Sequence, residues 1–92
     1  MSEARLVRAI LAALNARPNT KAIKVHGSAF MEAGTPDIIG SDGRMFAIEV
    51  KRPGEKVKPG GIQEKRLAEW AAAGARVGVA TTVDEATKIV DN

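Results

Sequence analysis

The sequence contains no cysteine, no tyrosine and a single histidine, His26. Without cysteine the chain forms no disulfide, no zinc ribbon and no thiolate nucleophile, and this composition fits an intracellular, cytoplasmic protein. Without tyrosine it has no tyrosyl nucleophile, and one histidine cannot build a two-histidine catalytic site within one chain. For chemistry on nucleic acids, a mechanism based on carboxylates and a metal ion is the main catalytic option that remains.

Long apolar runs are also missing. No stretch approaches the length that a membrane-spanning helix needs, so we expect no membrane partner. Residues 1–17 carry basic residues and an apolar run, as a secretory signal does, but Arg8 interrupts the run and Glu3 lies in what would be the basic region. This segment is better interpreted as a helix of the folded domain.

The charge balance is mildly basic. Lysine and arginine total 14 against 11 acidic residues, which gives a formal net charge of +3 and an isoelectric point near 9.6. This small excess fits a polyanion as partner. At 92 residues the chain is predicted to form one domain over residues 1–92, with room for one modest core.

Apolar periodicity predicts an α/β domain in which a small mixed sheet is flanked by helices. The order is helix, three strands, helix, strand, helix, or αβββαβα. The helices are predicted over 3–16, 62–73 and 83–90, and the strands over 21–26, 37–40, 45–51 and 77–80. Residues predicted to anchor these segments to the core are Phe30 and Met31 before the second strand, and Ile62, Leu67, Trp70 and Ala71 in the second helix.

The strand over 45–51 carries a glutamate and a lysine in an otherwise apolar run. Alternation places Glu49 and Lys51 on one face and Phe46, Ile48 and Val50 on the other. A buried carboxylate is costly unless it is paired or binds a metal. Glu49 therefore needs a partner.

Asp37, in the segment Gly34-Thr35-Pro36-Asp37, is the candidate partner of Glu49. Two neighbouring carboxylates repel each other, and a divalent cation between them removes that penalty. Carboxylates are hard ligands, so Mg²⁺ or Mn²⁺ is favoured over Zn²⁺. A lysine beside the ion, Lys51, suits phosphate chemistry, in which negative charge on phosphoryl oxygens must be stabilised.

The hairpin between the two acids must have a particular register for this site to form. A two-residue turn at Asp42-Gly43 would pair Asp37 with Ile48 and leave Glu49 on the opposite face. We therefore predict an odd-length connection or a β-bulge, for example the loop 42–44, which pairs Asp37 with Glu49.

These motifs resemble the PD-(D/E)XK nuclease signature, and more closely its VRR-NUC subgroup. That pattern runs G-x-P-D, then E-V-K-R-P, then a glutamine that opens a helix; the matching residues are 34–37, 49–53 and Gln63. The resemblance covers about residues 3–82. It implies a core like that of restriction endonucleases and a Mg²⁺-dependent DNA endonuclease that hydrolyses phosphodiester bonds.

The resemblance also implies roles for single residues. Asp37 and Glu49 would bind Mg²⁺ directly, with the backbone carbonyl of Val50 as a further ligand. Lys51 would orient the attacking water or stabilise charge on the phosphorus centre. Gln63 would position Lys51 or the phosphate, although a glutamine there is also an ordinary surface residue.

Other polar residues have two interpretations each. Glu3 is either an acid favoured by the helix dipole or a metal partner through water. His26 is either an exposed residue beside a turn or a substrate contact, and Trp70 is either core or a base-stacking platform. Candidate contacts to the DNA backbone are Arg52, Lys56 and Lys58 in the loop over 52–61 and Lys21 and Lys24 in the first strand, and the alternatives are a solubilising linker and ordinary solvated lysines.

Stand-alone VRR-NUC domains resemble Holliday junction resolvases, which implies a homodimer with two sites for a branched substrate in replication, recombination or repair. The alternative from another class is a catalytically silent nucleic-acid-binding or assembly module with the same fold. The intact acids and lysine argue against it.

Overall fold

The computed structural model describes residues 1–29 and 31–92. Along them lie α1 (Glu3–Asn15), β1 (Lys21–Lys24), β2 (Ile38–Ser41), β3 (Met45–Val50), α2 (Ile62–Ala72), β4 (Arg76–Ala80) and α3 (Val83–Asp91). This is the predicted order, and the bounds differ from the predicted ones by one or two residues.

The strands form a mixed sheet in the order β1-β2-β3-β4. The neighbours β1 and β2, and β2 and β3, are antiparallel, whereas β3 and β4 are parallel. A parallel pair requires a crossover between the strands, and α2 supplies it. The small mixed sheet flanked by helices is therefore confirmed.

The hairpin between β2 and β3 has the predicted odd-length loop. Ser41 pairs with Met45, which leaves residues 42–44 as the connection. Gly43 has a φ of +113°, a conformation that favours glycine and allows this tight turn.

The register of this hairpin decides the position of the two acids. Ile38 pairs with Ile48, so one step further along the same register Asp37 lies opposite Glu49. The prediction that these residues meet across the hairpin is confirmed.

The core lies between one face of the sheet and the helices α1 and α3. Phe46, Ile48 and Val50 of β3 point into it, as alternation predicted. From α1 it receives Leu6, Val7, Ile10 and Leu14, and from α3 it receives Ala86 and Val90. Within the described residues, no helix is long and apolar enough to cross a membrane.

The other face of the sheet is only partly covered, because α2 packs on β3 and β4. In β1, Ala22 is buried and Ile23 is 46% exposed. The more apolar residue therefore lies on the open face, since among the described residues α2 packs only on β3 and β4 there.

Three anchoring predictions are wrong. Ile62 is 44% exposed, because the start of α2 lies beside the backbone of Gly34 instead of over the sheet. Ala71 and Met31 are exposed as well, and of α2 only Leu67 is buried. The prediction for Phe30 falls outside the described residues.

Candidate metal centre

The corner before β2 places a proline opposite the end of β3. Continuing the hairpin register puts Pro36 across from Val50. The N–H of Lys51 donates to the carbonyl of Ala80 in β4, so by alternation the N–H and C=O of Val50 point toward β2. Proline has no N–H. Pro36 therefore cannot donate to the Val50 carbonyl, which is left available as a ligand.

Asp37 is held by the neighbouring strands through its backbone and through its carboxylate. Its own carbonyl accepts a hydrogen bond of 2.8 Å from the N–H of Val25. Its Oδ2 accepts another of 2.8 Å from the N–H of Val50. The second oxygen, Oδ1, lies 3.6 Å from Nζ of Lys24.

Glu49 is the one residue among the buried side chains that carries a carboxyl, and it is 2% exposed in the described structure. Its Oε2 has no hydrogen-bond partner there. Burial first, and then a hydrogen bond with Asp37 and the charge of that group, together raise the pKa of Glu49 to about 9. Asp37 acts on this carboxyl from directly across the hairpin, where the register places it.

Positive and negative charges further away also act on this group. Lys51 lowers the pKa of Glu49, and Glu3 raises it. Both contributions are smaller than the one from Asp37, the acid directly across the hairpin. Asp37 and Glu49 thus face each other across the hairpin, Lys51 follows Glu49 by two residues, and the charges of Lys51 and Glu3 act on Glu49.

This set of groups fits a divalent cation. Two carboxylates and a backbone carbonyl are hard oxygen donors, and a cation would satisfy the unpartnered Oε2 of Glu49. In the described part of the chain, no group of three or more acidic or histidine side chains is close enough to hold an ion. Glu3 is therefore not placed as a third direct ligand. An ion held by so few protein groups would keep several waters, as Mg²⁺ does.

Lys24 is the feature of this site that the sequence did not reveal. It was predicted to contact phosphate, and the structure places it against the acid Asp37. One feature could have indicated this contact: Lys24 ends β1 and precedes Val25, whose N–H donates to the carbonyl of Asp37.

Gln63 lies in the first turn of α2, as predicted. It lines a depression of about 240 Å³ with Gly34, Lys58, Gly61 and Ile62. That its amide positions Lys51 or the phosphate stays a prediction.

A larger pocket of about 430 Å³ opens beside Asp37. Lys24 and Asp37 line one side, and described residues of the segment between β1 and β2 line the rest. A shallower groove of about 250 Å³ runs along α1, where His26 and Arg8 lie beside Lys24. Asp37 is thus reachable from the surface with Lys24 beside it, whereas Glu49 lines neither opening.

The predicted DNA contacts fall into different places. Arg52 is exposed but pairs with Glu55 at 2.9 Å, whereas Lys56 and Lys58 are exposed in the same loop. Lys21 is exposed at the other end of β1, opposite Ser41, and so lies apart from the acids.

Comparison with known proteins rests on structure. No family model matches the sequence, and no curated protein matches it. A solved VRR_NUC domain superposes with a TM-score of 0.74 over 98% of this chain and 95% of its own, at 20% identity.

A second solved structure is Hjc of Archaeoglobus fulgidus, a Holliday junction resolvase from an archaeal hyperthermophile. It superposes with a TM-score of 0.65 at 29% identity over 84% of this chain, which spans 65% of the resolvase chain. The resemblance indicated by the motifs is confirmed in three dimensions: this chain has the PD-(D/E)XK nuclease fold, in the arrangement of a VRR_NUC domain.

Proposed function

We propose that this protein is a metal-dependent endonuclease that hydrolyses phosphodiester bonds in DNA. The observation that carries the proposal is the buried carboxylate of Glu49, whose Oε2 has no partner among the described residues, beside Asp37. Two buried carboxyl groups this close can both ionise only at a cost in stability, and a bound cation removes that cost. The fold shared with a VRR_NUC domain and a resolvase supports the same conclusion.

The residues that would hold Mg²⁺, or Mn²⁺ in its place, are Asp37, Glu49 and the carbonyl of Val50. When bound, the ion would supply a Lewis acid for the scissile phosphate and lower the pKa of the attacking water. The N–H of Val50 keeps the Asp37 carboxylate turned toward Glu49.

Lys51 follows the acid strand directly, and its charge acts on Glu49. Its ammonium would donate a hydrogen bond to the attacking water or stabilise the negative charge that develops on the phosphoryl oxygens. Gln63, one turn into α2, would hold the phosphate, and Glu3 would contact the cation through water. Lys56 and Lys58 in the loop before α2 would hold the DNA backbone.

The proposed substrate is branched DNA, with the four-way junction as the first candidate. This follows from the likeness to a Holliday junction resolvase. A junction has two equivalent strands to cut, so the active form would be a homodimer with one site in each subunit. The proposed setting is DNA replication, recombination or repair.

The experiment is a cleavage assay with Mg²⁺ on a four-way junction, a flap and a linear duplex of equal length, run beside D37N. We expect the wild type to cut the junction fastest and D37N to cut none of them. Equal cutting of all three substrates would remove the junction preference. A wild type that binds DNA but cuts nothing would instead identify a silent binding module.

A further inference from the structure

We propose that Lys24 is a positioning residue of this metal centre, which neutralises Asp37 before the cation binds and then transfers its contact to a phosphate of the DNA backbone. The inference rests on the proposed function. It assigns to Lys24 a role different from that of Lys51.

The contacts of Lys24 support the first half of this role. Its Nζ donates to the carbonyl of Val25 at 2.9 Å and lies 3.6 Å from Oδ1 of Asp37. Because the other oxygen of Asp37 already accepts from the N–H of Val50, Lys24 occupies the side of the carboxylate that is open for a ligand. A cation that binds Asp37 through Oδ1 must share this oxygen with the ammonium.

The position of Lys24 supports the second half. It lies at the end of β1, and its side chain is 35% exposed. It lines both the pocket beside Asp37 and the groove along α1. A phosphate entering from either side would meet this ammonium next to the acid.

By elementary electrostatics, Lys24 should have opposite effects on cation binding and on the complex with DNA. An ammonium and a divalent ion on one carboxylate repel each other, so Lys24 weakens cation binding when DNA is absent. A phosphate supplies a new counter-charge for the displaced ammonium, so Lys24 favours the complex with DNA. Loss of the charge should therefore tighten cation binding and slow cleavage. A lysine that supports only the fold would not produce this combination, and K88M shows how much of it the loss of a distant surface charge produces.

The test compares K24M, K24R and K88M. Methionine keeps the length of the side chain without its charge, and arginine keeps the charge. Lys88 is a matched control, because it pairs with Asp84 at 3.1 Å on the exposed surface of α3. Calorimetric titration of Mn²⁺ without DNA gives the affinity, thermal unfolding with and without Mn²⁺ verifies the fold, and junction cleavage gives the rate.

We expect K24M to bind Mn²⁺ about two- to fivefold more tightly than the wild type, as for a partly exposed ion pair. We expect its cleavage rate to fall about tenfold or more. K24R should restore both values toward the wild type, and K88M should change neither. Mn²⁺ binding by K24M that is unchanged or weaker, in a folded protein, would overturn the role of Lys24.

The two levels of the account can fail separately. A wild type that binds Mn²⁺ and cuts DNA, with K24M identical to K88M, would overturn only this inference. A wild type that neither binds a divalent cation nor cuts DNA would overturn the proposed function, and this inference with it.

Discussion

The N–H of Val50 donates a hydrogen bond of 2.8 Å to Oδ2 of Asp37. The strand that carries Glu49 therefore also holds the second acid, and it does so with a backbone group that cannot rotate away. Pro36, across from Val50, has no N–H to donate to the Val50 carbonyl. This corner therefore has two effects. The N–H of Val50 orients the carboxylate of Asp37, and Pro36 leaves the carbonyl of Val50 available as a ligand.

Replacing Pro36 by alanine tests this interpretation of the corner. Alanine restores an N–H that can donate to the Val50 carbonyl and remove it from the ligand set. We expect P36A to bind Mn²⁺ about tenfold more weakly, the lower end of what the loss of a supporting group costs a metal site. P18A, after α1, is the control for the effect of removing a proline from the unfolded chain. Equal Mn²⁺ affinity in P36A and the wild type would contradict the role of Pro36.

The raised pKa of Glu49 predicts how stability depends on pH without metal. The folded protein keeps a proton that the unfolded chain loses near 4.5, so folding binds protons between that value and about 9. The free energy of unfolding should therefore be highest below pH 4.5 as far as Glu49 is concerned, and should fall as pH rises, by at most about 1.4 kcal/mol per unit. Urea unfolding at pH 6 and pH 8 measures this slope.

E49Q is the control for that slope, because glutamine cannot ionise. Its stability should change less between the two pH values than that of the wild type, and added Mg²⁺ should reduce the slope only in the wild type. The same slope in both proteins would mean that Glu49 does not hold the proton.

Replacing Lys51 should affect cleavage without affecting metal binding. In K51A both acids and the Val50 carbonyl remain, so Mn²⁺ affinity should stay close to the wild type. Cleavage should fall by about a hundredfold or more, because the charge beside the scissile phosphate is lost. K65A, which removes an exposed lysine of α2, is the control. Normal cleavage by K51A would exclude this lysine from the mechanism.

Arg76 fastens the hairpin loop to the rest of the fold. Its side chain is 8% exposed, pairs with Asp42 at 2.6 Å, bonds the carbonyls of Arg44 and Val90, and lies over the ring of Phe46. Removing one partner of such a pair leaves the other uncompensated. We expect R76A to unfold at a lower urea concentration than the wild type, because it loses the pair with Asp42 and the bonds to both carbonyls.

Asp42 gives this pair a pH dependence that differs from that of Glu49. The hydrogen bond with Arg76 lowers the pKa of Asp42 below 3.8. Its contribution to stability is therefore present above pH 3.8 and is lost as pH falls through the lowered value. D42N should lose less stability than the wild type on acidification. The same loss of stability on acidification in both proteins would show that the charge of Asp42 does not contribute to stability.

The order of the elements and the hairpin register followed from the sequence, because both are local. Periodicity predicted the helices and strands, and the need for Asp37 to face Glu49 fixed an odd-length loop, as Ser41 paired with Met45 shows. Which parts of each face of the sheet the helices cover depends on long-range packing, so it did not follow from the sequence. Alternation separates Ala22 from Ile23, but only the packing of α1 and α2 decides which of them is buried.

Side-chain contacts between distant segments were also beyond the sequence. The amide of Asn15 bonds both the N–H and the C=O of Ala22, at 2.8 and 3.0 Å, and thereby blocks part of the free edge of β1. The approach of Lys24 to Asp37 is of the same kind. Nothing in the spacing of these residues indicates such contacts, since they depend on how the ends of the strands are arranged.

The central claim is that Asp37 and Glu49 bind one divalent cation together. Calorimetric titration of Mn²⁺ into the wild type, D37N and E49Q tests it most directly, with circular dichroism as a check on the fold. The account predicts one saturable site per chain in the wild type and no measurable binding in either variant. Binding in both variants with the affinity of the wild type, or no binding in a folded wild type, would contradict it.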